Sequence, residues 1–197
     1  LQRPRLKEGR RAAHNSPSPL PGHSLALQPG ALFAKKAAAS RRKKVKSVFV
    51  KKPFQFDVRE IPIPPLGPHD VQVRVKACGL CGTDVRQAAI GESFAPFGHE
   101  VAGIVEAIGS AVENVRPGDD VCLESGTFDR FSDLSRNGKV DLDMTGRSMF
   151  NDGIETMGFA EHMVVPCECC VKFSGLTYAQ ASLIEPLGVA YDLWKVT

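Results

Sequence analysis

The feature that most constrains the fold is a series of short apolar segments separated by proline and glycine turns. In VQVRVKA (71–77), Val71, Val73, Val75 and Ala77 alternate strictly with polar residues. This period of two is typical of a strand with one buried face. Further short strands are predicted at KSVFVKK (46–52), FDVREIPIP (56–64), 99–108, DDVCLES (119–125) and FAEHMVVP (159–166). We therefore expect a mostly β chain that folds as a compact antiparallel barrel or sandwich.

A helix is predicted clearly only near the end of the chain. Thr177 and Gln180 form a T-x-x-Q capping box ahead of an apolar run. Pro186 is expected to interrupt this helix, because proline lacks an N–H and its ring clashes with the preceding turn. Residues 126–158 show no period, and a loop of that length inside a compact domain is usually functional or mobile.

The charge of the chain is distributed unevenly. Of its 25 Lys and Arg and 22 acids, residues 1–46 hold 12 and one, so the remainder holds 13 and 21. This basic stretch has almost no apolar pattern, and we expect residues 1–45 to be a disordered basic extension. An organelle transit peptide, a nuclear signal or nucleic-acid tail, and an extension without a role in the fold are all compatible with it. Residues 46–197 are expected to form one domain.

Cellular location is suggested by hydropathy and by the cysteines. No apolar run approaches the roughly 20 residues of a membrane helix, so we expect a cytoplasmic protein without a membrane partner. Six cysteines are too few for a secreted disulfide scaffold of 197 residues. Their clusters, Cys78 with Cys81 and Cys167 with Cys169 and Cys170, suggest reduced thiols, metal ligands or core residues.

Two motifs carry metal-binding chemistry. CGTD (81–84) supplies a thiol and a carboxylate, and GHE (98–100) supplies an imidazole and a second carboxylate. Zinc binds thiolate, imidazole and carboxylate groups, and a β-fold can bring Cys81 and His99 together. From the residues alone, a buried thiol and a hydrogen-bonded core histidine remain the alternative interpretation.

The order and spacing of these motifs resemble the medium-chain, zinc-dependent alcohol dehydrogenases. Their signature, G-H-E-x2-G-x5-[GA]-x2-[IVSAC], is matched by GHEVAGIVEAIGSAV (98–112), and the similarity extends from about residue 46 to RPGDDV (116–121), GFAEHMVVP (158–166) and ASLIEPLGVA (181–190). LIEPL (183–187) resembles the polyol (sorbitol-type) and threonine dehydrogenase branches. The resemblance implies that residues 46–197 form a GroES-like β-barrel, an incomplete catalytic domain whose companion Rossmann domain is absent from the chain.

The resemblance also implies a ligand set for one catalytic zinc. Cys81 and His99 would be ligands, and the remaining protein contact would be Glu100 or Glu185. We keep both and favour Glu185, because neighbouring residues of a regular strand point to opposite faces and because Pro186 should keep Glu185 out of helical geometry. No structural zinc is expected, since the four cysteines that would bind it are missing after GDDV.

Two further roles follow from the matched positions. Thr83 would hydrogen-bond the substrate hydroxyl and help to remove its proton. Asp84 would accept a hydrogen bond from the second ring nitrogen of His99, which fixes the orientation of a ligating imidazole.

The activity implied is oxidation of a small-molecule alcohol or polyol to a carbonyl, with hydride transfer to NAD or NADP. No G-x-G-x-x-G turn is present, so NAD(P) is expected only in the full-length enzyme, a homo-oligomer, and this fragment is expected to be inactive alone. The alternative hypothesis is a non-enzymatic zinc-binding or interaction module whose basic arm binds nucleic acid; the dehydrogenase interpretation requires no nucleic-acid partner. A zinc-free quinone-reductase relative is disfavoured by Cys81, His99 and Glu185.

Overall fold

The computed structural model describes residues 43–126, 128–129, 132–143, 146, 149 and 156–195. Its strands are β1 (Lys44–Lys51), β2 (Gln55–Pro62), β3 (Asp70–Cys78), β4 (Ala95–Pro96), β5 (Val101–Ile108), β6 (Asp120–Leu123), β7 (His162–Pro166) and β8 (Cys170–Lys172). Its helices are α1 (Gly82–Ile90), α2 (Asp133–Arg136), α3 (Tyr178–Ala181) and α4 (Ile184–Lys195), with 3₁₀ turns at Val140–Leu142 and Cys167–Cys169. Residues 1–42 of the predicted basic extension lie outside the described residues. Strand β1 begins at Lys44, within the range 1–45 that was predicted for this extension.

The strands form two antiparallel sheets, which confirms the prediction of a mostly β chain. The first sheet has the order β2-β1-β4, and the second has the order β7-β3-β5-β6-β8. One bridge between Ser47 and Ala160 links them, beside a 3.0 Å hydrogen bond from the backbone N–H of Val48 to the carbonyl of Phe159. The described residues show no closed barrel, because a single bridge does not continue the strand pairing from one sheet into the other.

The main core lies on the inner face of the five-stranded sheet. Val71 and Val73 of β3 are fully buried, as their alternation predicts, and they pack in one cluster with Val101 and Val105 of β5. Strand β3 pairs with β5 on one side and with β7 on the other. Because β3 is an internal strand, paired on both sides, its end at Cys78 is held against the start of β5.

Two glycines of the GHE signature allow backbone segments to approach closely. A Cβ at Gly103 of β5 would overlap the carbonyl oxygen of Arg74 on β3. A Cβ at Gly109 would overlap the carbonyl oxygens of Gly67 and Pro68, in the loop that leads into β3. These glycines are required by packing of β5 against the β3 region, not by metal chemistry.

The helices differ in part from the sequence expectation. The capping box of Thr177 and Gln180 is confirmed at the start of α3. The chain then leaves helical structure at Ser182 and Leu183, one turn before Pro186, so the expected interruption of this helix is confirmed, and Pro186 itself lies in the first turn of α4. Proline is tolerated there because the first N–H groups of a helix have no intrahelical partner.

Helix α1 was not predicted from the sequence, and part of the segment expected to be a loop has regular structure. Helix α1 follows β3 after three residues, with Cys81 of the CGTD motif as its N-cap and the rest of the motif in its first turn. In the segment 126–158, the buried carboxylate of Asp143 accepts hydrogen bonds from the hydroxyls of Ser132 and Ser135, which lie at the start of α2.

No helix in the described ranges combines the length and apolar character needed to cross a lipid bilayer.

Candidate metal centre

Cys81, His99 and Glu100 come together between α1 and the start of β5. One ligand atom from each, the thiol sulfur, an imidazole nitrogen and a carboxylate oxygen, lies within 4.8 Å of the others. His99 and Glu100 are each 8% exposed, and Cys81 is half-buried. Within the described part of the chain, no other three Cys, His, Asp or Glu side chains approach one another this closely.

Backbone geometry explains how the adjacent His99 and Glu100 reach one place. Strand β5 begins at Val101, so both residues precede the regular strand and are not forced onto opposite faces. Gly98 turns the chain with a φ of +90°, a conformation that favours glycine. A Cβ at Gly98 would also overlap the ring of Phe159 and the sulfur of Cys78.

The Glu100 side chain occupies a space that exists only because residue 79 is glycine. A Cβ at Gly79 would overlap the carboxylate of Glu100 and approach its Cβ to 3.0 Å. The backbone N–H of Gly79 donates a 2.8 Å hydrogen bond to the carbonyl of Glu100. The end of β3 therefore forms a cradle for this carboxylate and aims it toward Cys81 and His99.

Asp84 ties together the two segments that carry the potential ligands. One of its carboxylate oxygens accepts a 3.0 Å hydrogen bond from the backbone N–H of Cys81, at the start of α1. The other accepts a 3.0 Å bond from the backbone N–H of Gly98, next to His99. The expected hydrogen bond from His99 is not formed, because its Nδ1 lies 3.8 Å from the nearer Asp84 oxygen.

Thr83 lies in the first turn of α1 beside the potential thiolate ligand. Its hydroxyl donates a 2.9 Å hydrogen bond to the sulfur of Cys81. A hydroxyl that donates its only proton still has lone pairs with which to accept a hydrogen bond. Thr83 can therefore accept a hydrogen bond from a molecule bound beside the cluster.

A pocket of about 450 Å³ opens beside His99. Its polar lining includes Thr83, Gln87, Ser125 and Glu185, and its apolar lining is formed by Ala95, Pro96, Phe97 and Met157. The pocket is therefore amphipathic, since its lining combines hydrogen-bonding groups with apolar side chains. This arrangement is typical of sites for small organic molecules.

Glu185 faces this pocket from the first turn of α4. Its Oε1 accepts a 3.2 Å hydrogen bond from the Ser125 hydroxyl. The expectation that Pro186 keeps Glu185 out of helical geometry is wrong, since α4 begins at Ile184. Glu185 lies outside the set of side chains within 4.8 Å of one another, so the geometry favours Glu100 as the third donor.

The remaining thiols differ from Cys81 in their surroundings. Burial, together with the neighbouring charges of Asp84 and Glu100, raises the pKa of Cys78 to about 12. Burial also raises the pKa of Cys170 above its ordinary value. Cys81, and not Cys78, lies within 4.8 Å of the potential donors of His99 and Glu100, so the geometry favours Cys81 in the CGLC motif.

Sequence reasoning did not identify three residues that shape the site. Gly79 was not singled out, although its place between Cys78 and the CGTD motif marks a position of tight packing. Gln87 lies on α1, a helix that the sequence pattern did not reveal. Ser125 lies where β6 runs into an aperiodic segment, and no sequence pattern indicates its contact with Glu185.

Comparison with known proteins agrees with this architecture. The model of the alcohol dehydrogenase GroES-like domain matches residues 67–175. L-idonate 5-dehydrogenase of Vitis vinifera is 36% identical over 135 residues, which cover 64% of this chain and 37% of that protein. Sorbitol dehydrogenase of Macaca fascicularis is 31% identical over 166 residues, covering 77% of this chain and 44% of that protein.

Solved structures share the fold. The crystal structure of galactitol-1-phosphate dehydrogenase from Escherichia coli matches with a TM-score of 0.65 and 26% identity, covering 74% of this chain and 43% of that one. The chain thus spans less than half the length of each of these three proteins. By its domain match and its similarity to these dehydrogenases, the chain belongs to the medium-chain, zinc-dependent alcohol dehydrogenase family, of which it carries the GroES-like domain.

Proposed function

We propose that this chain is the catalytic portion of a zinc-dependent oxidoreductase that oxidises an alcohol or polyol to a carbonyl, with hydride transfer to NAD or NADP. The single observation that carries the proposal is the convergence of Cys81, His99 and Glu100 beside an amphipathic pocket. The related polyol and sugar-alcohol dehydrogenases support it. The proposal also includes NAD or NADP as the cofactor and a homo-oligomeric full-length enzyme.

The residues of the cluster fit one zinc ion. Thiolate, imidazole and carboxylate are the groups that zinc binds, and three protein ligands leave a position for a substrate. The Gly79 cradle supports this assignment, because it holds the Glu100 carboxylate next to the other two groups. Zinc bound there would lower the pKa of an alcohol hydroxyl and so favour its deprotonation. In this proposal Cys81, His99 and Glu100 are the ligands.

The side chains around the cluster would bind and orient the alcohol. Thr83 would accept a hydrogen bond from the reacting hydroxyl, because its own proton is directed at Cys81, and would so orient that hydroxyl while its proton leaves to solvent water. Asp84 would keep the ligand-bearing segments in register through its two backbone hydrogen bonds. Gln87, Ser125 and Glu185 would contact further hydroxyl groups, while Phe97 and Met157 would contact the carbon chain.

The names of the relatives leave the charge of the substrate open. Sorbitol is uncharged, idonate carries a carboxylate, and galactitol 1-phosphate carries a phosphate ester. Each relative is also more than twice as long as the segment that it shares with this chain. The choice among these substrate classes therefore depends on the pocket itself.

Metal analysis of the purified chain tests the proposal. One zinc per chain is expected, and Cys81→Ala should lose it. Cys78→Ala is the matched control, since it removes the neighbouring thiol of the same motif and should retain the metal. Zinc retained by Cys81→Ala, or a stoichiometry near two, would contradict the assignment.

Turnover of uncharged polyols with NAD or NADP by an enzyme that contains this domain tests the activity.

A further inference from the structure

Strand β2 is the longest strand at the edge of a sheet in the described part of the chain. The edge strands are β2 and β4 in the first sheet and β7 and β8 in the second. Strand β2 has eight residues, whereas β4, β7 and β8 have two, five and three. It pairs with β1 over its whole length, residue against residue, so its other side is a straight row of backbone groups. A long edge of this kind is a template for pairing with a further strand.

The hydrogen bonds of β1 show which way its backbone groups point. The N–H of Val48 donates to the carbonyl of Phe159, and the carbonyl of Lys46 accepts from the N–H of Glu161. Both bonds lie on the side of β1 away from β2. Since successive residues of a strand bond to opposite sides, the odd-numbered residues of β1 bond toward β2.

The outward-facing groups of β2 follow from this alternation. The odd-numbered residues of β1 lie opposite the odd-numbered residues of β2, so the groups of Phe56, Val58 and Glu60 point outward. Among the described residues, these three form no backbone hydrogen bond outside the two strands. The side chains of Phe56 and Val58 are also 60% and 62% exposed. Pro62, the next residue in the row, has no N–H, so the free edge ends at Glu60.

A second copy of this chain fits the free edge. A two-fold axis at Val58 pairs Val58 with itself and Phe56 with Glu60, and each pair can exchange two backbone hydrogen bonds. The same axis places Asp57 of each copy opposite Arg59 of the other. An axis one residue away would place Asp57 opposite Asp57 or Arg59 opposite Arg59, and like charges directly opposite destabilise a sheet. The charges of β2 therefore select the pairing centred on Val58.

This pairing would also cover apolar surface. Phe56 and Val58 lie on one face of β2, so the side chains from two copies form a continuous row across the axis. We infer that β2 pairs antiparallel with β2 of a second copy about Val58, which joins the two first sheets into one. The inference goes beyond the proposed enzymatic function, since β2 contributes no residue to the metal centre or to the pocket beside His99.

Sedimentation equilibrium of the purified chain over a concentration series tests the inference. We expect a weak monomer–dimer equilibrium, because the paired segment is short. Val58→Lys places two positive charges at the axis and should raise the dissociation constant about three- to tenfold. Val58→Thr keeps a β-branched side chain and should change it less than about twofold. Leu193→Lys is the matched control, since Leu193 lies on α4 and is 63% exposed, against 62% for Val58.

A mixture of two charge variants tests the register. Asp57→Arg alone gives like charges opposite each other in its own dimer, and so does Arg59→Asp alone. In a mixed dimer, every one of these positions faces an opposite charge. The equimolar mixture should therefore associate about three- to tenfold more tightly than either variant alone. Changes within one chain cannot produce this result, because each chain in the mixture is the same as in the separate samples.

Three results would overturn the inference, provided that each variant has the circular dichroism spectrum of the parent chain. One is a monomer at every concentration, as expected if residues 1–42 occupy this edge in their own chain. Another is a dimer that Leu193→Lys weakens and Val58→Lys does not, which would assign the contact to α4. The third is a mixture that associates no more tightly than its components. Zinc binding affects none of these outcomes, so the proposed function stands or fails separately.

Discussion

The carboxylate of Glu100 fills the space that a side chain at Gly79 would occupy. The two residues are also joined by a backbone hydrogen bond at 2.8 Å. The end of β3 and the start of β5 are thus fitted to each other at the point where the potential zinc ligands converge. This fit leads to a test of the site that leaves every potential ligand in place.

We expect Gly79→Ala to weaken zinc binding by at least about tenfold, because the added methyl group displaces the Glu100 carboxylate. Competition with a chelator measures the affinity. Gly82→Ala is the control, since a Cβ at Gly82 meets no atom within 4 Å. An equal effect of both substitutions, or none at Gly79, would show that the cradle does not position a ligand.

Substitution of the two glutamates ranks them as ligands. Glu100→Ala should weaken zinc binding more than Glu185→Ala, because only Glu100 lies within 4.8 Å of the cysteine and histidine donors. Loss of a residue outside the ligand set typically weakens metal binding by about 10–100-fold. The loss of zinc affinity in Glu185→Ala should therefore not exceed this range. The same chelator competition applies, and the reverse ranking would assign the direct contact to Glu185.

Removal of one acceptor from Asp84 should destabilise the metal-free chain. Asp84→Asn keeps the shape of the side chain but leaves only one oxygen for the N–H groups of Cys81 and Gly98. We expect a loss of about 1–3 kcal/mol in the free energy of unfolding. Urea denaturation measures it, with the exposed Asp133→Asn at the start of α2 as a control expected to stay within about 0.5 kcal/mol.

The buried thiols predict a loss of stability at high pH. Burial raises the pKa of Cys170 and of Cys122 above the ordinary value of 9.0, and neighbouring cysteines add to the effect at Cys170. The fold therefore favours the protonated thiols. Since the unfolded chain loses these protons first, the stabilisation is complete below about pH 9 and declines as the pH rises further.

Urea midpoints at pH 8 and pH 10 should show this decline. Cys170→Ala should be less stable at pH 8 but should lose less stability between the two pH values. A decline of unchanged size in this variant would assign the pH dependence to other groups.

The strands were predictable because their burial pattern is local. The alternation of Val71 and Val73 places both on the buried face, as the structure shows. The arrangement of the strands in two sheets was not predictable, because it depends on pairing between distant strands. Helix α1 was missed since its N-cap is Cys81, which is not a common capping residue, although Asp84 three residues later and Gly91 after the helix are typical boundary signals.

The sequence identified the potential metal ligands but not their geometry. The argument against the adjacent His99 and Glu100 assumed a regular strand, whereas β5 begins only at Val101. The argument for Glu185 assumed a helix break at Pro186, whereas the chain breaks at Ser182 and Leu183. Both errors concern element boundaries, which depend on local hydrogen bonds that a residue pattern does not record.

The segment from Cys81 to Glu100 contains all three potential donors and both partners of Asp84. A metal that joins these residues closes a short loop, and short loops cost less conformational entropy than the long-range pairing of distant strands. The order of events in folding should reflect this difference. If zinc binds as proposed, it would join the ends of the segment 81–100 before the more distant strands β3 and β7 pair, so zinc added during refolding should change the folding rate as well as the final stability.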